Sequence, residues 1–199
     1  MDLPHPDREA SPHSIESEEV IYSGWSSLAA VTARTADGRC MRREIEHHGS
    51  AVAVLPYDRI RRKALLVSLP RVPVIQAGRP DLLEAAAGLI DEGESVEQAV
   101  RREAFEELGL ELHALEPVGQ YWSIPSVSTE RVDLFLAPYG PANRVHEGGG
   151  LAEEDEHLLV HEIDLSRLIL AARTGSLNDM KTALLVFALR DLRPELFDS

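Results

Sequence analysis

The chain has 199 residues, 44% of them hydrophobic, which is enough for one ordinary domain with a small appendage and a real core. Its 34 acidic and 20 basic residues leave a net charge of −14, which argues against holding nucleic acid or an anionic membrane on a basic patch. An anionic substrate would need a local cation, and that points towards metal ions. The single cysteine, Cys40, excludes an internal disulfide framework, and the lack of a Cys-x-x-Cys motif or tight histidine cluster argues against structural zinc. No apolar run reaches the length of a signal segment or a membrane span, so the expected compartment is the cytoplasm.

Residues 1–17, "MDLPHPDREASPHSIES", are polar and broken by proline, and read as a mobile tail. From Val20 to His48 come short β-like runs, "LAAVTART" and "CMRREIEH", joined by the turn signal "ADG". "AVAVLP" and "ALLVSLP" read as two strands flanking a charged loop, and "DLLEAAAGLI" as one further strand ending at Gly88. Residues 95–108 form the clearest helix. Ser95 with Gln98 makes a capping box, and Gly109 sits where a left-handed cap belongs. Strands are expected near 111–122, 130–138 and 158–163, with helices near 166–173 and 179–192. Residues 141–157 form a long glycine-rich acidic loop, a length often tied to function. Mixed strands and helices imply an α/β or α+β sandwich.

The helix face beginning at Val96 would bury Val96, Ala99 and Val100, and then positions 103, 106 and 107, all glutamate. Ala104, Phe105 and Leu108 would keep that half packed on a second side. Pairs at i,i+4 spacing, Glu97 with Arg101 and Arg102 with Glu106, offset part of the charge but leave Glu103 and Glu107 facing inwards. Hard divalent cations take oxygen ligands, and Mg²⁺ typically uses a few carboxylates together with substrate phosphates. A solvated acidic face is the alternative reading of the cluster, and it fares worse because these acids continue the buried stripe.

Gly88, five residues, Glu94, seven residues, then Arg102-Glu103-Ala104-Phe105-Glu106-Glu107-Leu108-Gly109 resembles a complete Nudix box. The resemblance implies a Nudix hydrolase: an α/β/α sandwich with a mixed sheet that cleaves a nucleoside diphosphate linked to another group. It implies Mg²⁺ or Mn²⁺, two or three ions with substrate, bound by Glu103 and Glu107. Glu106 would be a ligand or supporting group, and Arg102 would orient the carboxylates.

Beyond the box, "MRREIEHHGSAVAVLPYD", "LLEAAAGLID", "GGGLAEEDEHLLVHEI" and "GSLNDMKTALLVFAL" resemble the ADP-ribose and nucleotide-sugar diphosphatases, the last segment especially the GDP-mannose-cleaving members. The segment "IPSVSTERVDLFLAPY", with Glu130, resembles their Ser-Pro-Gly…Glu stretch. That group implies an N-terminal antiparallel β-subdomain, here 18–48, that crosses to a homodimer partner, and a catalytic domain over 49–195. It also implies metal binding by the Ala87 carbonyl and by Glu156, and Glu154 as the residue that activates water. Arg43, Glu44 and Glu130 would contact substrate and Arg71 a phosphate. Arg43 with Glu44 also reads as an ordinary surface strand pair, and Glu154 with Glu156 as an acidic mobile loop. Two departures from the group's pattern, Ile124-Pro125-Ser126 and Leu69, leave the metal chemistry intact and the substrate open.

The function these residues imply is metal-dependent hydrolysis of the pyrophosphate of ADP-ribose or a related nucleoside-diphosphate sugar, GDP-mannose included. Its rivals are another Nudix substrate, such as a dinucleotide or triphosphate, and a non-catalytic nucleotide-sugar sensor. A sensor would commonly lose box glutamates, and this chain keeps them all.

Overall fold

The structure is a computed structural model and describes residues 11–150 and 158–197. It divides into two compact units, one formed by residues up to Gly49 with Trp122–Glu130, the other by Ser50–Tyr121 and the residues from Arg131. No helix among the described residues is long and apolar enough to cross a membrane.

In the first unit β1 (Ser14–Ser23), β2 (Ser27–Arg34) and β3 (Cys40–His47) form an antiparallel sheet in the order β1-β2-β3. Strand β1 begins at Ser14, inside the stretch read as tail, because Ser14 and the residues after it pair with β2, with register shifts between Ile15 and Ser17 and between Val20 and Tyr22. Only Ala29, Ala30 and Val31 of this sheet are buried. β1 is exposed at every position, Ile15, Val20, Ile21 and Tyr22 included. Residues 122–130 close the unit through Glu46: its N–H donates to the Val127 carbonyl (2.8 Å), and its carboxylate accepts from Ser128 Oγ (2.8 Å).

The second unit holds β4 (Ala51–Asp58), β5 (Lys63–Leu69), α1 (Val72–Gln76), β6 (Leu82–Glu84), β7 (Ala86–Leu89) and α2 (Val96–Leu108). After these come β8 (Glu116–Trp122), β9 (Arg131–Pro138), β10 (Leu159–Asp164), α3 (Leu165–Thr174) and α4 (Met180–Leu192). The sheet runs β10-β5-β4-β9-β8, with β6 on β5 and β7 on β4. β4 is parallel to β9 and antiparallel to β5 and β7, so the sheet is mixed.

All of β4 is buried, and its alternation explains the layers. Ala51, Ala53, Leu55 and Tyr57 pack with Leu165, Leu168, Leu185 and Leu189 of α3 and α4. Val52 and Val54 pack on the other face with Ala99, Val100, Ala104 and Leu108 of α2. The unit is therefore an α/β/α sandwich, and each fully buried leucine contributes about 1.5–3 kcal/mol to it.

The run "DLLEAAAGLI" does not form the single strand its apolar character suggests. It breaks at Ala85 and resumes as β7, which continues to Leu89. The Ala85 N–H leaves the ladder and donates to Thr182 Oγ1 of α4 at 2.6 Å. Asp179 caps α4 by accepting from the Thr182 N–H (2.9 Å) and also accepts from the Thr182 hydroxyl. Beside the break sits Glu84, 3% exposed. Arg71 holds it with Nε at 3.0 Å and Nη2 at 3.2 Å, and Lys181 Nζ reaches it at 2.6 Å. Lys181 also pairs with Asp179 at 3.0 Å. Two carboxylates and two cations thus tie the β5–α1 junction, β6 and the start of α4 together.

Burial pushes the Glu84 carboxyl towards its neutral form, but the bonds and charges of Arg71 and Lys181 outweigh that and hold it below the usual carboxylate range. Its contribution to stability is therefore fully present above the unfolded value of about 4.3, and is lost as pH falls through the depressed folded value. Glu84→Gln should cost on the order of 3 kcal/mol near pH 7, since it removes the buried carboxylate charge that Arg71 and Lys181 both hold. In urea unfolding the gap to the parent protein should narrow below pH 4; a gap unchanged from pH 7 to pH 3 would contradict this account.

Candidate active site

Helix α2 is fixed at both ends by local chemistry. Ser95 Oγ accepts from the Gln98 N–H at 3.2 Å and the Gln98 side chain accepts from the Ser95 N–H at 2.8 Å. Gly109 closes the helix in the left-handed region at φ 67°. Ala99 and Val100 are buried as the stripe requires, and the stripe does become acidic: Glu103 and Glu107 are 8% and 4% exposed, Glu106 half-buried. Phe105, expected to pack inwards, is exposed instead. One residue turns a helix by about 100°, which carries it off the column of Ala104 and Leu108. There it meets His146 edge-on, ring centroids 4.7 Å apart. Arg101 does not make the expected ion pair with Glu97; it donates to the carbonyls of Glu97, Leu112 and His113.

Arg102 makes the acidic face tolerable. Its Nε and Nη2 grip both oxygens of Glu94, at 3.1 and 2.9 Å. Nη1 donates to Glu103 (2.6 Å) and Glu106 (3.3 Å), and Nη2 also donates to the Leu89 carbonyl (2.8 Å). A guanidinium has five N–H donors in a planar fork, and these five contacts match them. Glu94 is steadied in turn by the Asp91 N–H at 3.2 Å. Its bond to Arg102 holds its carboxyl below the ordinary range despite partial desolvation.

Strand β7 supplies the other wall. The Ala87 N–H donates to Glu107 Oε2 at 3.1 Å, so this carboxylate lies one hydrogen bond from the Ala87 peptide. A Cβ on Gly88 would fall 1.9 Å from Glu103 Oε1; only a residue without a side chain lets the carboxylate rest against the strand. Ala87, Gly88, Glu94, Arg102, Glu103, Glu106 and Glu107 are thus brought together. Among the described residues no three acidic, histidine or cysteine side chains converge as a finished metal cage. The donor set nevertheless suits Mg²⁺ or Mn²⁺: oxygen atoms only, from two nearly buried carboxylates beside a backbone peptide. Mg²⁺ usually keeps several waters and takes only one or two carboxylates plus substrate phosphates.

The remaining sequence-derived residues have the following surroundings. Arg71 is bound to Glu84. Arg43 and Glu44 lie exposed on β3, opposite Val31 and Ala30. Glu130 pairs with His48 at 3.2 Å in the first unit, where His48 also meets Glu46 at 2.6 Å and stacks on Trp25. Glu154 and Glu156 lie outside the described residues. The sequence reading missed Glu84, Lys181 and Asp179. A lone glutamate inside the apolar run "LLEAAAG" was the available signal, since a charge buried in a strand needs a cation.

Comparison with known proteins agrees with this geometry. The NUDIX domain model matches residues 47–175. GDP-mannose pyrophosphatase of Cronobacter sakazakii is 40% identical over 154 residues, covering 75% of this chain and 79% of the relative. ADP-ribose pyrophosphatase of Escherichia coli O6:H1 is 35% identical over 157 residues, covering 75% and 74%. A crystal structure of an ADP compounds hydrolase superposes with a TM-score of 0.75 at 19% identity over 94% of this chain and 97% of that one, a likeness of fold. With its box assembled around Arg102 and a family match over more than half its length, the chain belongs to the NUDIX family.

Proposed function

We propose that the protein hydrolyses the pyrophosphate linkage of ADP-ribose or a related nucleoside-diphosphate sugar, GDP-mannose included, to a nucleoside monophosphate and a sugar phosphate. The observation that carries this reading is the nearly buried pair Glu103 and Glu107, packed on Gly88 and the Ala87 peptide. Relatives acting on GDP-mannose and on ADP-ribose both align over three quarters of the chain. A sensor without activity is disfavoured because every box carboxylate is retained.

In this reading Glu103, Glu107, the Ala87 carbonyl and Glu156 would hold two or three Mg²⁺ or Mn²⁺ ions, whose charge would offset that of the phosphates and make water more acidic. Arg102 holds the Glu103 and Glu106 carboxylates in place. Glu154 takes the proton of the attacking water as the bridging P–O bond breaks, a role better suited to a carboxylate whose lone pairs are not committed to a cation. Arg71 contacts a phosphate, and Arg43, Glu44 and Glu130 contact the rest of the substrate. The proposed compartment is the cytoplasm, where the exposed Cys40 thiol stays reduced.

The reading includes a homodimer formed through the first unit. An edge strand that exposes Ile15, Val20, Ile21 and Tyr22 invites pairing with another chain, and the sheet buries little of its own.

Products from ADP-ribose, GDP-mannose, UDP-glucose, diadenosine polyphosphates and dNTPs, incubated with Mg²⁺ and the protein, test the activity. Sugar phosphate and nucleoside monophosphate should accumulate from one of the first two, and excess chelator should stop the reaction. Glu103→Gln and Glu107→Gln should lower turnover by orders of magnitude in folded protein, and Glu154→Gln should lower kcat by roughly 10²–10⁴-fold with little change in binding. Full activity in both helix variants would sink the metal assignment; near-parental kcat in Glu154→Gln would move the base elsewhere. For the dimer, sedimentation at micromolar concentration should give twice the chain mass, and an active monomer would count against it.

A further inference from the structure

The glycine run 148–150 lies outside the box, yet it is fastened to the end of the helix that bears it. The last carbonyls of a helix have no partner within it. Here the Gly109 and Leu110 N–H groups take those of Phe105 and Ala104, at 2.9 and 3.0 Å. The next two belong to residues of the carboxylate cluster. Gly149 donates its N–H to the Glu107 carbonyl at 2.9 Å, and Gly150 donates to the Glu106 carbonyl at 3.1 Å. The chain before them is zipped along the same end: Val145 N–H to the Gly109 carbonyl at 2.9 Å, and Leu110 bridged to Arg144.

The contact is too close for any side chain. A Cβ on Gly148 would lie 2.3 Å from the Glu107 carbonyl oxygen and 2.9 Å from the Leu108 backbone, and one on Gly109 would lie 2.0 Å from the His146 carbonyl oxygen. Backbone stands on both sides of each contact, so a side chain there must displace the helix end or the run. Gly148, Gly149 and Gly150 also all have positive φ (76°, 114° and 75°).

We infer that Gly148–Gly150 is a positioning element for the metal site: it clamps the peptides of Glu106 and Glu107 and so fixes where their carboxylates stand. The inference rests on the metal reading of Glu103 and Glu107 given above. Gly148 is a positioning residue, acting only through Glu106 and Glu107. A displacement of about 1 Å in such a site is enough to cost on the order of 100-fold in rate.

The test compares Gly148→Ala with Gly175→Ala. Gly175 closes α3 at φ 74° with nothing within 4 Å of a built Cβ, so its variant carries the same backbone strain without the collision. Mn²⁺ affinity is measured by electron paramagnetic resonance without substrate, beside kcat, KM and Tm. Gly148→Ala should weaken Mn²⁺ binding several-fold and lower kcat by roughly 10–100-fold, with KM changed far less. Gly175→Ala should match the parent in both at a similar loss of Tm. Equal Mn²⁺ affinity and kcat in the two variants would overturn the inference. Should Gly148→Ala fail to fold, Gly149→Ala takes its place, because its Cβ meets nothing within 4 Å and its φ of 114° still strains the clamp; parental Mn²⁺ affinity there would overturn it equally. Glu107→Gln separates the two ideas. Lost Mn²⁺ binding in Glu107→Gln with intact binding in the glycine variants removes the clamp alone, whereas intact binding in Glu107→Gln removes the metal reading beneath it.

Discussion

Everything at the site depends on one guanidinium. Three glutamates within about one turn of a helix repel one another, and near a helix C-terminus they also oppose the dipole. Arg102 resolves this by spending all five donors on the problem: two on Glu94, one each on Glu103 and Glu106, and one on the Leu89 carbonyl. The contacts with Leu89 and Glu94 do more than balance charge. Leu89 ends β7 and Glu94 belongs to the turn before α2, so the same side chain that neutralises the cluster docks the helix on the strand. A carboxylate has two oxygens with about four acceptor sites, so Glu103 can keep Arg102 and still present lone pairs to a cation.

The second constraint is space. The carboxylate face of α2 is walled by backbone, and glycine occurs where backbone and carboxylate or carbonyl meet. Gly88 makes room for the Glu103 carboxylate, while Gly109 and Gly148 let residues 144–150 close on the helix end. These contacts couple the packing of α2 to the placement of its acids. The apolar half of the helix, Ala99, Val100, Ala104 and Leu108, fixes it on Val52 and Val54 of β4. The acidic half inherits that rigidity, which a site must have if carboxylates are to wait in position for a charge that develops later.

Much of this could be read in the sequence, for identifiable reasons. The capping box of Ser95, the stop at Gly109 and the stripe turning to glutamate are local, periodic signals, and they located α2 and its inward carboxylates. The long-range features were not legible. Nothing local to "LLEAAAG" says that Ala85 gives its N–H to Thr182, ninety-seven residues on, and so splits one apolar run into two strands on different neighbours. Glu84 finds its two cations at Arg71 and Lys181, one of them equally remote. Phe105 is apolar, yet helical phase turns it off the buried column of Ala104 and Leu108, and phase prevails over hydrophobicity there. The start of β1 at Ser14 leaves no periodic signal, because its sequence, SIESEEVIYS, has no clean alternation and the strand is exposed throughout.

Glu103 and Glu107, set by Arg102 and the wall of β7, are proposed to bind a divalent cation. An anomalous difference map from crystals soaked in Mn²⁺ tests this without relying on any variant or substrate. The expected result is a peak coordinated by Glu103 and Glu107 oxygens at about 2.1 Å, on the side where the Ala87 peptide lies, with the Arg102–Glu94 pair intact. A map with Mn²⁺ bound elsewhere on the protein and none at these carboxylates would contradict the account.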